Sequence, residues 1–199
     1  ENQAYYSRYV FNLYSNFTFY LNDPVNGDGI QQQEHRDILG LHSKLKYQHF
    51  LGSAVLQSTE GIGLRYDATK NSQLAYQIKR QFIDNIMLGD IKEANAFAYS
   101  QHQLSTGNWL FDAGVRLDYF HFNYLDKLNT TQQPSQQKAT VSPKLNIQYT
   151  VNKTLQLYVK GGKGFHSNDT RVVVANSGNQ ILPAAYGGDV GFIIKPSSN

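Results

Sequence analysis

The chain has 199 residues and a formal net charge of +3, with its cations scattered; that suits one domain and gives no nucleic-acid surface. It contains no cysteine, which excludes disulfides and thiolate metal sites. No run approaches the ~18 consecutive apolar residues of a membrane helix, an absence that leaves transmembrane strands open because they alternate apolar and polar positions.

Residues 4–21 alternate over an unusual length. Tyr5, Tyr9, Phe11, Leu13, Phe17, Phe19 and Leu21 fall on one side, against Arg8, Asn12, Asn16 and Thr18. At ~3.3 Å per residue this is about 55 Å of strand, far beyond the usual length in soluble sheets. The segment 22–29 (NDPVNGDG) then supplies turn chemistry. A second strand is expected over 35–51, with Leu39, Leu41, Leu45, Tyr47 and Leu51 opposite Arg36, His42, Lys44 and Lys46.

A third strand is expected over 58–79. Ile62, Leu64 and Tyr66 share even parity with Leu74, Tyr76 and Ile78, which predicts one continuous face across the polar interruption 67–72. Leu74, Ile78, Phe82 and Ile86 are also spaced by four, so a helix over 74–87 competes; the shared parity favours the strand. Strand four is expected over about 90–103 and strand five over 108–125. In the latter, Trp109, Phe111, Val115, Leu117 and Tyr119 oppose Asp112, Arg116 and Asp118.

After a polar loop (129–138), Val141, Leu145, Ile147, Tyr149 and Val151 alternate with Lys144, Asn146 and Gln148. Asn152–Thr154 makes a turn, and Leu155, Leu157 and Val159 alternate with Gln156 and Lys160. A long loop over 166–183 and an eighth strand over 184–196 complete the series. Connections that alternate long and short point to an antiparallel up-and-down transmembrane β-barrel, with long loops outside and tight turns inside. A soluble β-sandwich or adhesin module is the alternative fold, and a passive porin-type channel the alternative mechanism.

The segments Gly61–Asp67, Gly89–Glu93, Phe97–Tyr99, Trp109–Phe120, Ser142–Leu145, Leu155–Tyr158, Gly164–Arg171 and Leu182–Pro183 occur in an order that resembles the barrel of a TonB-dependent outer-membrane receptor. The likeness covers nearly the whole chain. It implies an all-β fold in which residues 1–199 supply about eight strands of a 22-stranded barrel, without the plug domain, the TonB-contacting segment or the closing strand. It implies a bacterial outer-membrane transporter, not an enzyme. The implied partners are the TonB energy-transducing complex, the protein's own plug, outer-membrane lipid and a small nutrient: a ferric siderophore, haem, a cobalamin, a metal chelate or an oligosaccharide. No cofactor is implied.

Lumen-facing charges are the candidates for contact with cargo or plug: Arg8, Arg36, Arg65, Arg116, Asp118, Lys144 and Lys160. Arg116 and Asp118 share a face two residues apart, which favours a structural ion pair. In the loop after strand seven, His166, Asp169 and Arg171 are placed to meet an anionic or metal-chelate cargo. The alternative there is a turn shaped by Asn168 and Asp169 bonding to their own backbone. Gly161, Gly162 and Gly164 precede no helix and mark a bulge or close approach, not a phosphate loop. Asp23, Asn26 and Asp28 suggest a calcium loop, but placing Gly29 at the sixth position of an EF-hand puts Pro24 first and His35 twelfth, so the pattern fails. The histidines show no zinc spacing.

Overall fold

The computed structural model describes residues 1–167, 170 and 181–195. They form one antiparallel sheet. Its strands are β1 (Asn2–Ser15), β2 (Ile30–Leu51), β3 (Ala54–Ile78), β4 (Gln81–Thr106), β5 (Trp109–Asp126), β6 (Thr131–Gln132), β7 (Gln136–Thr150), β8 (Leu155–Phe165) and β9 (Ala184–Ile194). Neighbours in sequence are neighbours in space, in the order β1-β2-β3-β4-β5-β7-β8-β9, with the short β6 set against β5. This is the up-and-down sheet that the alternation predicts.

One face is apolar and exposed: Leu39, Leu41, Ile62, Leu64, Leu117 and Leu145 stand in adjoining rows. Tyr6, Tyr66 and Tyr119 border this band at one end, and Tyr47, Trp109 and Tyr149 at the other. Ten steps along β5 separate Trp109 from Tyr119; at ~3.3 Å per residue and a tilt of ~40° the girdles stand about 25 Å apart, the height of an outer-membrane apolar band. The tight turns at Gly52-Ser53 and Gly107-Asn108 lie at the Trp109 end, the end that the sequence pattern assigns to the inside. There too, the Asn152 side-chain oxygen accepts hydrogen bonds from the Thr154 and Leu155 N–H groups and closes the β7–β8 turn.

The opposite face carries the polar residues, and its outer half holds the buried cluster of Phe120, Phe122, Tyr124, Ile181 and Leu182. Phe120 stacks on Phe122 at 5.7 Å and meets Phe165 edge-on at 5.6 Å. The end of the β8–β9 connection is thus drawn onto the lumenal face of β5.

Several expectations are corrected. β1 ends at Ser15 instead of residue 21, because Phe19 turns the chain at φ +56° and the Asp28 carboxylate gathers the N–H groups of Asn22 and Asp23. The faces of β1 are reversed: Tyr6 pairs with Leu39 and Arg8 with Asp37, which puts Ala4, Tyr6 and Arg8 on the lipid side and Tyr5, Tyr9, Phe11 and Leu13 on the lumenal side. This strand carries apolar residues on both faces, so only its register with β2 decides.

The expected long connection between the third and fourth strands is the turn Lys79-Arg80, with both residues at positive φ (+51° and +66°). That geometry matches the twist of a tight hairpin. The helix over 74–87 does not form; β3 and β4 run through it as a hairpin projecting past the outer girdle. Parity does not survive the 67–72 interruption. Asn71, at φ +51°, is an extra residue in β3 between the pairs Thr69↔Ile91 and Ser72↔Gly89. One inserted residue moves every later side chain to the other face, so Leu74 and Tyr76 oppose the lipid-facing Leu64 and Tyr66. The Asp90 carboxylate accepts the Asn71 N–H at 2.9 Å, and the Lys127 ammonium bonds both Asp90 and the Asn71 side chain at 2.7 Å.

Two outcomes are expected from the outer connections. Replacing Lys79-Arg80 by Asn-Gly removes two left-handed side-chain penalties and is expected to stabilise the hairpin by about 1–2 kcal/mol, read as slower amide exchange over residues 74–84. In the 16–29 loop, the Asn26 backbone N–H, then its side-chain amide and the Val25 N–H, hold the Asp23 carboxyl below its usual range. For Asp28 burial pulls upward, but bonds from Thr18, Asn22 and Asp23 outweigh it. Depressed carboxylates stabilise the loop above the ordinary carboxylate range and lose that contribution as pH falls through and below it. Pepsin cleavage within 16–29 should therefore accelerate on acidification below about pH 4, and Asp28→Asn should weaken protection already at neutral pH.

Candidate functional site

The lumenal wall is built by a repeated local device. The Phe97 and Tyr99 rings of β4 lie flat across β3, where their cross-strand partners are Gly63 and Gly61. A Cβ at either glycine would sit 2.3 Å from the ring it faces, so only glycine admits this packing. Beyond β3 the rings reach β2: the Tyr99 hydroxyl and His42 Nε2 are 3.2 Å apart, and the His42 and Phe97 ring centroids 5.8 Å. Tyr5 covers Gly40, Tyr124 covers Gly89 and Tyr158 approaches Gly191 in the same manner.

Arg116 of β5 completes the group. Its guanidinium lies 3.9 Å from the Phe97 centroid and grips Asp118 with two bonds of 2.8 Å. Asp118 is 0 % exposed and accepts a further bond from the Asn95 amide at 3.3 Å. The ion pair expected from their shared face is thus formed, and the aromatic face beneath it satisfies the cation's open side. Beside it a recess of about 550 Å³ is lined by His42, Phe97, Arg116, Ser142, Lys144 and Lys163. Gln101, which lines it, and Asn146 both donate to Asp112 at 2.8 Å. The Lys144 ammonium pairs with Asp112 at 4.0 Å and stays half exposed.

The structure gathers Arg116, Asp118 and Lys144 around this recess and places the other candidates elsewhere. Arg65 makes two 2.8 Å bonds to Asp67, and Arg36 pairs with Glu34 at 3.1 Å, both nearer the outer end of the lumenal face. Glu93, across from Asp67, accepts from the Thr170 hydroxyl at 3.1 Å. Lys160 lies 4.5 Å from the Tyr158 ring. His166 donates its backbone N–H to the Pro183 carbonyl at 3.1 Å and exposes its side chain at the start of the outer connection. Arg8 is not lumenal: it lies on the lipid-side face above the outer girdle, bonded to Asp37 at 2.9 Å. Asp169 and Arg171 lie outside the described residues.

His42, Phe97, Tyr99 and Glu93 were absent from the sequence-derived candidates. The signal was present as two matched spacings, Gly61/Gly63 and Phe97/Tyr99. Only the register of β3 with β4 shows that one pair lies over the other. Among the described residues no cluster of three metal-ligating side chains occurs. In the 16–29 loop, Asp23 and Asp28 spend their oxygens on the loop's own N–H groups.

Comparison with known proteins agrees with this architecture. No curated protein sequence matches the chain. Among solved structures, the unliganded ferric citrate transporter FecA superposes with a TM-score of 0.80 at 14% identity, covering 96% of this chain and 29% of that one. The closed form of the ferric-catecholate import receptor Fiu from E. coli K12 superposes with a TM-score of 0.69 at 12% identity, covering 96% and 35%. The chain therefore spans about a third of the length of these receptors, and the likeness at such identity is one of fold. A family model described as TonB dependent receptor-like, beta-barrel matches residues 1–194. With that match across nearly its whole length, the chain belongs to the TonB-dependent receptor family through its β-barrel.

Proposed function

We propose that the chain is an arc of the barrel of an outer-membrane active transporter, which binds a scarce nutrient outside the cell and imports it with energy delivered through TonB. The observation that carries this reading is the family match over residues 1–194, joined to a sheet with one girdled apolar face and one polar face. The family is one of transporters, not enzymes. Among the described residues β1 and β9 each have a single strand partner, and lipid cannot satisfy an open ladder edge; further strands of the same protein, a plug inside the barrel and a bacterial outer-membrane location complete the proposal. FecA and Fiu are named for ferric citrate and ferric catecholates, which favours an iron chelate as cargo here. The Lys144 side of the lumenal recess, with Arg116 beside it, supports an anionic one.

Uptake of radiolabelled ferric chelates by cells producing the full-length receptor tests this directly. Accumulation is expected with TonB present and absent without it. Equal uptake in both would make the protein a passive channel and overturn the proposal. A second expectation concerns the recess. Arg116→Ala strands the buried Asp118 with the Asn95 amide alone, at a cost of about 3 kcal/mol by analogy with other broken buried pairs. Unfolding of the receptor in detergent should shift accordingly, while Arg116→Lys, which keeps the charge but loses the paired bonds, should fall between.

A further inference from the structure

The membrane face carries an ionisable group that the transport reading does not use. Glu60 of β3 points to the lipid side, in the same row as Leu45 and Ser100 and two ladder rows from the girdle residue Tyr47. Its Oε1 accepts from the Ser100 hydroxyl at 3.1 Å and the Tyr47 hydroxyl at 3.4 Å, and lies 3.8 Å from His102 Nε2. His102 is held by Ser58 at 2.8 Å on Nδ1 and by Ser100 at 3.0 Å on Nε2. All three contacts of Glu60 fall on Oε1. Oε2 has no partner, and no lysine or arginine pairs with the carboxylate among the described residues. A half-exposed carboxylate at the rim of the apolar band is costly unless a cation and hydrogen-bond donors meet it there.

A groove rises from this group. A recess of about 530 Å³ bounded by Glu60, Ser100 and Val115 shares Ile62, Ala98 and Leu117 with a second of about 430 Å³. The second shares Leu64, Ala96 and Tyr119 with a third of about 530 Å³ that ends at the outer girdle, against Tyr66 and Tyr119. Its floor is the row of alanines on β4, and its walls are the larger side chains of β3 and β5. From Ser100 to Ala94, the partner of the outer-girdle Tyr66, the groove runs about 20 Å along the strand, close to the length of an extended acyl chain. A negatively charged foot near the inner girdle and an apolar channel that an acyl chain can follow have the polarity of a phospholipid.

We propose that this groove is a specific site for one inner-leaflet phospholipid with a primary ammonium headgroup. Glu60 Oε2 accepts from the ammonium, His102 and Ser100 face the phosphodiester, and an acyl chain lies over Ala98 and Ala96. The charge decides between lipids: an anionic phosphatidylglycerol headgroup would meet Glu60 with like charge, whereas phosphatidylethanolamine brings the missing cation.

The test uses the full-length receptor, delipidated in detergent and offered phosphatidylethanolamine or phosphatidylglycerol, with bound lipid counted by native mass spectrometry. One phosphatidylethanolamine is expected to be retained in preference to phosphatidylglycerol. Glu60→Gln, which keeps the Tyr47 and Ser100 bonds, should lower that retention about tenfold, the equivalent of one charged hydrogen bond. Ala96→Leu fills the groove from the other end and should abolish retention while the receptor keeps its heat-modifiable folded band. Equal retention of the two lipids, or retention indifferent to both folded variants, overturns the proposal. So does a dimer mass that replaces the lipid adduct, since a second copy would then cover the face.

Discussion

Inside a bilayer no water is available to the backbone, so each N–H and C=O of a spanning strand must bond to a neighbouring strand. The chain answers with ladders that join each strand to its neighbour, and with strands as long as the 26 residues of β4. Once the ladder is obligatory, side chains have only two directions left, and lipid and lumen take one each. The amphipathic alternation, the aromatic girdles and the separation of the recess from the lipid groove all descend from that single constraint.

The lumenal wall shows how function can be built without leaving the ladder. A strand cannot bring its side chains closer to a neighbour than the pleat allows, but removing a Cβ lets a ring from the next strand lie over it. Gly61 and Gly63 let Tyr99 and Phe97 bridge β4 to β2, and Arg116 then settles on Phe97 while holding Asp118. Four strands, β2 to β5, thus build one continuous surface beside Lys144 and the recess. On the lipid side the same sheet does the reverse: small alanines on β4 leave a channel between the larger side chains of β3 and β5. Opposite faces of one strand thereby carry a filled wall and an open groove.

Legibility in the sequence varied with how one-sided each strand is. β2, β5 and β7 carry apolar residues at one parity and charges at the other, and their faces were read correctly from Leu39, Leu41, Leu45 and from Val115, Leu117, Tyr119 against Arg116 and Asp118. β1 has Ala4, Tyr6 and Val10 on one side and Tyr5, Tyr9 and Phe11 on the other, so its pattern held no answer and Arg8 was assigned to the wrong face. The hairpin tip deceived differently. Lys79-Arg80 lacks the usual Asn-Gly signal, and Asn71 looks like any polar residue of a loop. A single inserted residue leaves no mark on composition while reversing everything beyond it.

What the amino-acid sequence determined by itself was the class of object: an antiparallel barrel sheet with two unlike faces, in the TonB-dependent receptor family. Alternation is local, two residues long, and needs no partner to be seen. What only the tertiary structure decided were the pairings between strands: rings over glycines, Arg116 on Phe97, Glu60 beside His102, and the face of each strand beyond a bulge. Those depend on register, a relation between residues dozens of positions apart. Register is set by the summed hydrogen bonds and packing of whole strands, not by any residue taken alone.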